Sequence, residues 1–130
     1  MTRVRSTRGP ARQRGQATVE FALVLPLVLL AALFVVQVAV VCFDQVLVLH
    51  AARAAGRVAA VDPSMSATRR AASETPGLEA GRLVVTRGTR GPPGSQVTVV
   101  VRYRAPTSVP IVGSLVGDVE LSATTVFRVE

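Results

Sequence analysis

An uninterrupted apolar run places the strongest constraint on what this chain can fold into. From Phe21 to Phe43 the sequence reads FALVLPLVLLAALFVVQVAVVCF, without a formal charge. At about 1.5 Å per residue, a helix of this length extends roughly 34 Å, enough to cross a bilayer hydrocarbon core of about 30 Å. The run therefore predicts a transmembrane helix over about residues 21–43. Pro26 is expected to kink this helix, because its ring nitrogen cannot donate to the carbonyl of Ala22.

The distribution of arginine predicts the orientation of this helix. All 15 basic residues are arginine, and five of them precede Gly15 in a stretch without acidic residues. The rest of the chain contains ten arginines and eight acidic residues, so its charge is nearly balanced. Basic residues flanking one end of a membrane helix keep that end in the cytoplasm. We therefore expect a single-pass protein of the bacterial cytoplasmic membrane, with a cytoplasmic N-terminus and an extracytoplasmic C-terminus. A nucleic-acid-binding protein would carry its basic surface on the folded domain, so no nucleic-acid partner is expected.

The residues around the start of the apolar run predict proteolytic processing. The run is longer than the apolar core of a cleaved secretory signal, about 7–15 residues. Attachment of a lipid at Cys42 is not expected either, because the preceding Val41 is not small. A third kind of processing cuts before the run, and its pattern is a basic leader that ends in glycine, followed after four residues by a glutamate. Here these residues are Gly15 and Glu20.

The segment GQATVEFALVLPLVLL, in which Pro26 follows Glu20 by six residues, resembles the TadE-like minor pilins or pseudopilins of the tight-adherence pilus system. The resemblance implies cleavage by a prepilin peptidase between Gly15 and Gln16, ahead of Glu20 and Phe21. It also implies other pilin subunits, pilus assembly membrane proteins and the lipid bilayer as partners. In related filaments the partner of the glutamate is thought to be the N-terminal amine of an adjacent subunit, and that role passes here to Glu20.

Three alternatives stay open at this point. Glu20 could simply complement the positive end of the helix dipole. The chain could also be a single-pass membrane protein that keeps its leader and binds a ligand through its outer domain. Alternatively, it could be an accessory subunit that packs beside a membrane complex through Gln37 and a ridge of small residues.

The ridge of small residues lies in the continuation of the apolar helix. We expect a leader over residues 1–15, a long helix over residues 16–62 that ends before Pro63, and a small extracytoplasmic domain over residues 63–130. Within the helix, small residues recur every fourth position, which permits close approach of another element. That element would be either the chain's own sheet or a neighbouring subunit; the three residues are Ala52, Gly56 and Ala60.

The outer domain is expected to be α+β. A short helix is predicted near residues 64–74, and strands near 82–87, 96–104 and 119–129. The last two strands alternate apolar and polar residues with a period of two, as in half-buried antiparallel strands. Three strands need a cover, and the outer half of the long helix would supply it, as in pilin-like folds. The apolar stretch at 105–118 would contact a partner subunit, the membrane surface or the domain's own edge.

The sequence offers no set of residues for catalysis. The chain has one histidine, His50, and one cysteine, Cys42. Neither lies near companion residues with metal-ligand or triad spacing. We therefore expect no enzyme activity, no cofactor and no metal. Cys42 is expected to pack as an apolar residue, or else to bridge two subunits.

Overall fold

A computed structural model of the chain describes residues 11–107, 111, 113 and 117–130. Helix α1 spans Ala11–Val61 and helix α2 spans Met65–Ser73. A 3-10 turn at Ala80–Arg82 leads into strand β1 at Leu83–Arg87, which is followed by β2 at Gln96–Ala105 and β3 at Val119–Arg128. The predicted α+β fold is confirmed. Residues 1–10 of the predicted leader and much of the apolar stretch at 105–118 lie outside the described residues.

Helix α1 continues without interruption through Pro26, so this residue does not end it; the kink stays a prediction. The helix ends one residue before the Asp62-Pro63 step, where proline disfavours helical geometry in the residue before it. The Asp62 carboxylate accepts a hydrogen bond from the backbone N–H of Ser64 (2.7 Å). Ser64 in turn caps α2, since its hydroxyl accepts from the N–H of Ala67 (3.4 Å). Two short-range caps thus turn the chain from α1 into α2.

The three strands form one antiparallel sheet in the order β1-β2-β3. In its central register Val101 pairs with Val85 on one side and with Ala123 on the other. Alternate residues of β2 are buried, as the period of two predicts: Val97, Val99, Val101 and Tyr103. Burial of a valine side chain stabilises by about 1.5–3 kcal/mol, so this row forms the centre of the head's core.

The upper half of α1 covers the apolar face of the sheet. Gly56 lies against β3 so closely that a methyl group there would be 2.9 Å from Oγ1 of Thr125 and closer still to the ring of Phe127. Beside it, the Thr125 hydroxyl donates a hydrogen bond to the carbonyl of Ala52 (3.0 Å). The absence of a side chain at Gly56 therefore sets the distance between the helix and the sheet.

The C-terminal end of α1 is capped by residues that are distant in sequence. Arg90 Nη2 donates to the carbonyls of Ala60 (3.1 Å) and Val61 (3.4 Å). The carbonyl of Ala60 also accepts from the backbone N–H of Glu130 (3.1 Å). Because the last carbonyls of a helix have no partner within it and carry partial negative charge, a guanidinium at this position stabilises the helix end.

The fit at Gly56 generates a stability prediction. Alanine has a higher helix propensity than glycine by about 1 kcal/mol, whereas overpacking a well-filled core costs about 1–3 kcal/mol. We expect Gly56→Ala to lower the free energy of unfolding by about 1 kcal/mol because the ring of Phe127 must move. Chemical denaturation of the detergent-solubilised protein measures this change. Gly81→Ala is the matched control, since a methyl group at Gly81 has no atom within 4 Å among the described residues. A Gly56→Ala protein as stable as the wild type would contradict the prediction.

Candidate processing and assembly site

The predicted processing residues lie together on one exposed stretch of α1. Gly15, Gln16, Glu20 and Phe21 are all exposed, and no atom outside the local helix lies within 4 Å of where a methyl group would be at Gly15. Gln16 Nε2 donates to Oε1 of Glu20 (3.2 Å), one helical turn away. The peptide bond between Gly15 and Gln16 is thus part of a helix that begins at Ala11.

The charges in the first turn of α1 do not stabilise the helix. It contains no acidic residue, and its sequence places Arg12 and Arg14 at the end of the helix where the dipole is positive. A positive charge at the N-terminus of a helix destabilises the helix by about 0.3–1 kcal/mol. Glycine in a helix interior destabilises it by about a further 1 kcal/mol. Local unwinding up to Gly15 therefore breaks few favourable interactions.

The lower half of α1, from Gly15 to Ala32, is not covered by other parts of the described structure. Every residue from Gly15 to Ala32 is exposed, including Phe21 and Leu23. Within the described residues, the segment Gly15–Val61 of this helix is long and apolar enough to cross a membrane. An apolar surface that surrounds a helix over more than four turns is stable only in lipid or against other protein helices.

Gln37 is an exception within this apolar segment. Its side chain is only 5% exposed, and neither Oε1 nor Nε2 has a hydrogen-bond partner among the described residues. Val41, one turn further on, packs against the head's core. Next on this face is Asp44, just past the apolar run, where partial burial raises the pKa of the carboxyl group. The covering of α1 by the head thus begins inside the predicted membrane span.

The small residues Ala52, Gly56 and Ala60 are buried against the chain's own sheet. Of the two surfaces considered for this ridge, the structure therefore pairs it with β3 and leaves none of it open to a neighbouring subunit. The opposite face of α1 is exposed and carries His50, Arg53 and Arg57. Cys42 is also exposed, so it does not pack within the subunit.

The processing residues stay a prediction, and sequence reasoning missed the burial of Gln37. A single glutamine in an apolar run has no local pattern that reports its surroundings. Its burial depends on residues outside the neighbouring turns of α1, which are themselves largely exposed. The only available signal was the polarity of Gln37 itself, which marks an intramembrane residue as a candidate for a functional role.

Among the described residues one helix is long and apolar enough to span a membrane and carries a small α+β head, an architecture consistent with a membrane-anchored protein. Residues 15–57 match the family model described as TadE-like protein, so the N-terminal segment of this chain is TadE-like and the resemblance is confirmed. The match covers the processing motif, the apolar run and most of the ridge, and it ends inside α1. This family associates the chain with tight-adherence pilus systems. No curated protein and no solved structure matches the chain.

The unpaired amide of Gln37 generates a second prediction. A buried polar group without a partner costs about 1–3 kcal/mol, and an apolar side chain of similar shape removes that cost. We expect Gln37→Met to raise the free energy of unfolding in detergent by about 1–3 kcal/mol. Thermal unfolding followed by circular dichroism measures the shift. Gln45→Met is the control that should destabilise, since Gln45 Nε2 donates to the carbonyl of Ser122 (3.0 Å). A loss of stability in Gln37→Met would show that the amide is hydrogen-bonded in the folded protein.

Proposed function

We propose that this chain is a minor pilin or pseudopilin subunit of a tight-adherence pilus or of its assembly machine. A prepilin peptidase removes the leader after Gly15, and the lower half of α1 serves first as a membrane anchor and then as a filament-core element. The observation that carries the proposal is the spacing of Gly15 and Glu20 at the start of a TadE-like helix whose lower half is exposed on every side. The proposed role is structural and involves no catalysis and no cofactor.

Peptidase cleavage is consistent with the weak start of α1. A protease binds its substrate in an extended form, so the helix must unwind across the bond between Gly15 and Gln16. Within the part of the chain that the structure describes, little more than one turn of helix precedes this bond. The absence of acidic residues there and the glycine itself keep the cost of unwinding low. Glycine also allows the backbone to approach the walls of a membrane-level cleft.

Cleavage changes the electrostatics around Glu20. In the precursor the partner of this carboxylate among the described residues is the neutral amide of Gln16. After cleavage a positive amine stands at Gln16, and the arginine leader is gone. A carboxylate that moves into a filament core loses its hydration, at a cost of several kcal/mol, unless an opposite charge meets it. The amine of an adjacent subunit meets this requirement only in one axial register.

The residues that the accessory-subunit alternative would use for contact are buried within the subunit. It required Gln37 and the ridge of small residues to face a neighbouring membrane protein. Gln37 is almost fully buried, and Ala52, Gly56 and Ala60 are covered by β3. The alternative of a ligand-binding membrane protein with a retained leader is distinguished by the N-terminus of the mature chain.

The cleavage site is tested by mass spectrometry of the membrane-extracted protein from its native host. We expect the mature chain to begin at Gln16. Gly15→Leu should accumulate as uncleaved precursor, because a branched side chain blocks backbone approach. Ala17→Leu, which adds similar bulk two residues later, should still be processed. A wild-type protein that retains the arginine leader would refute this part of the proposal.

The charge-pairing role of Glu20 is tested separately. We expect Glu20→Gln to insert and be cleaved normally but to enter pili poorly. Removal of one partner of a buried ion pair costs about 3–5 kcal/mol, which corresponds to a drop in incorporation of roughly a hundredfold or more. The ratio of mutant subunit in sheared pili to that in membranes measures this effect. Glu74→Gln, on the exposed end of α2, is the control and should incorporate normally. Normal incorporation of Glu20→Gln would exclude charge pairing while leaving cleavage intact.

A further inference from the structure

Three hydrogen bonds to backbone carbonyls define the position of the head along α1. Gln45 donates to the carbonyl of Ser122, Thr125 donates to that of Ala52, and Glu130 donates to that of Ala60. Strand β3 and helix α1 therefore run in the same direction, away from the apolar run. The end of the sheet at which β2 finishes and β3 begins is the end nearest the membrane span; we call this end the base of the head.

The base reaches down beside the predicted span. Val119 precedes Ser122 by three residues, or about 10 Å of strand. This distance equals about six or seven residues of helix, so the base lies level with the turn of α1 around residues 38–40. The near-complete burial of Gln37 and the packing of Val41 against the core agree with this level. Both positions belong to the uncharged run that ends at Phe43.

The connection that leaves the sheet at this base exposes an apolar side chain. Ala105 at the end of β2 pairs with Val119 at the start of β3, and Ile111 lies in the connection between them. Ile111 is 59% exposed and has a φ of 71°. A β-branched residue in the left-handed region costs about 1–3 kcal/mol, so the fold keeps this side chain outward at the expense of local strain.

Three ion pairs lie near the base, where Arg104 is exposed and has no ion-pair partner among the described residues. Arg82 contacts Glu79 (2.9 Å) and Asp118 (3.1 Å), and Arg102 lies 3.9 Å from Glu120. Pairing lowers the cost of moving these groups from water into the less polar layer of lipid headgroups. Charged groups and an exposed isoleucine at the same end of the sheet match the mixed polarity of a membrane–water interface.

We propose that the base of the head rests in the interfacial layer of the bilayer, with Ile111 in contact with lipid. The partner surface is the phospholipid bilayer itself, because the base is continuous with the apolar run of α1 and lies at its depth. The inference depends on insertion of α1 and not on cleavage or pilus assembly. The membrane precursor with its leader attached is therefore sufficient to test it.

Tryptophan fluorescence tests the contact, since the chain contains no tryptophan of its own. Full-length Ile111→Trp is reconstituted in phosphatidylcholine vesicles with and without brominated acyl chains. We expect a blue-shifted emission that is quenched by the brominated lipid. Val126→Trp is the matched control: Val126 is also exposed, at 52%, and lies near the far end of β3, so its emission should be unaffected by bromine. Leu29→Trp, within the apolar run, should be quenched in the same vesicles.

Tryptophan itself favours membrane interfaces, so a second measurement uses cysteine in its place. Ile111→Cys and Val126→Cys, each combined with Cys42→Ala, are labelled in vesicles with a water-soluble maleimide. We expect slower labelling at position 111 than at position 126. Equal labelling rates, or emission from Ile111→Trp that bromine does not quench, would overturn the proposal. Protection from maleimide without quenching by brominated lipid would overturn it as well, since protein and not lipid would then shield the site.

Discussion

The contact between β3 and the upper half of α1 is the constraint on which the head depends. A three-stranded sheet with one apolar face is not stable alone, so the row of valines on β2 requires the helix as a cover. Gly56 permits the approach, and the Thr125 hydroxyl fixes it through the carbonyl of Ala52. Loss of this cover would return side chains such as Val99 and Val101 to water, at about 1.5–3 kcal/mol each.

This constraint divides one helix between two environments. The upper half of α1 is committed to the head, whereas the lower half is exposed on every side. An α-helix satisfies its own backbone hydrogen bonds, so the lower half can pass from lipid to a protein core without breaking them. Only its side chains meet a new environment. From Glu20 to Phe43 they are apolar except for Glu20 and Gln37, and Gln37 is already buried within the subunit, so transfer between environments depends mainly on Glu20.

The parts of the fold that sequence patterns predicted are those with short-range causes. Alternation placed β2 and β3 to within about a residue, and Asp62-Pro63 with Ser64 placed the boundary between α1 and α2. The Gly15–Glu20 spacing predicts a processing site through a family resemblance, and that site stays a prediction. Tertiary features escaped prediction. Arg90, for example, caps α1 from 30 positions away.

The ridge of small residues shows why such cases are undetermined by sequence. Small residues at every fourth position permit close packing but do not name the partner, because the chain's own sheet and a neighbouring helix impose the same steric requirement. Only the location of Thr125 and Phe127 decides between them, and both lie about 70 positions away in the chain. The same reasoning applies to Gln37, whose burial depends on the height of the head.

The height of the head and the position of Glu20 together define the depth of α1 in a bilayer. From Glu20 to Val40 the helix rises about 30 Å, which equals the thickness of the hydrocarbon core. If Glu20 lies at the cytoplasmic boundary, the opposite boundary falls at the level of the base. Deeper insertion would force the paired charges of Arg82 and Asp118 into hydrocarbon, and shallower insertion would pull Phe21 and Leu23 into water. In that arrangement polar groups at both ends of the apolar run limit the depth of α1, and Glu20 stays at the level of the membrane surface, five residues from the proposed cleavage site.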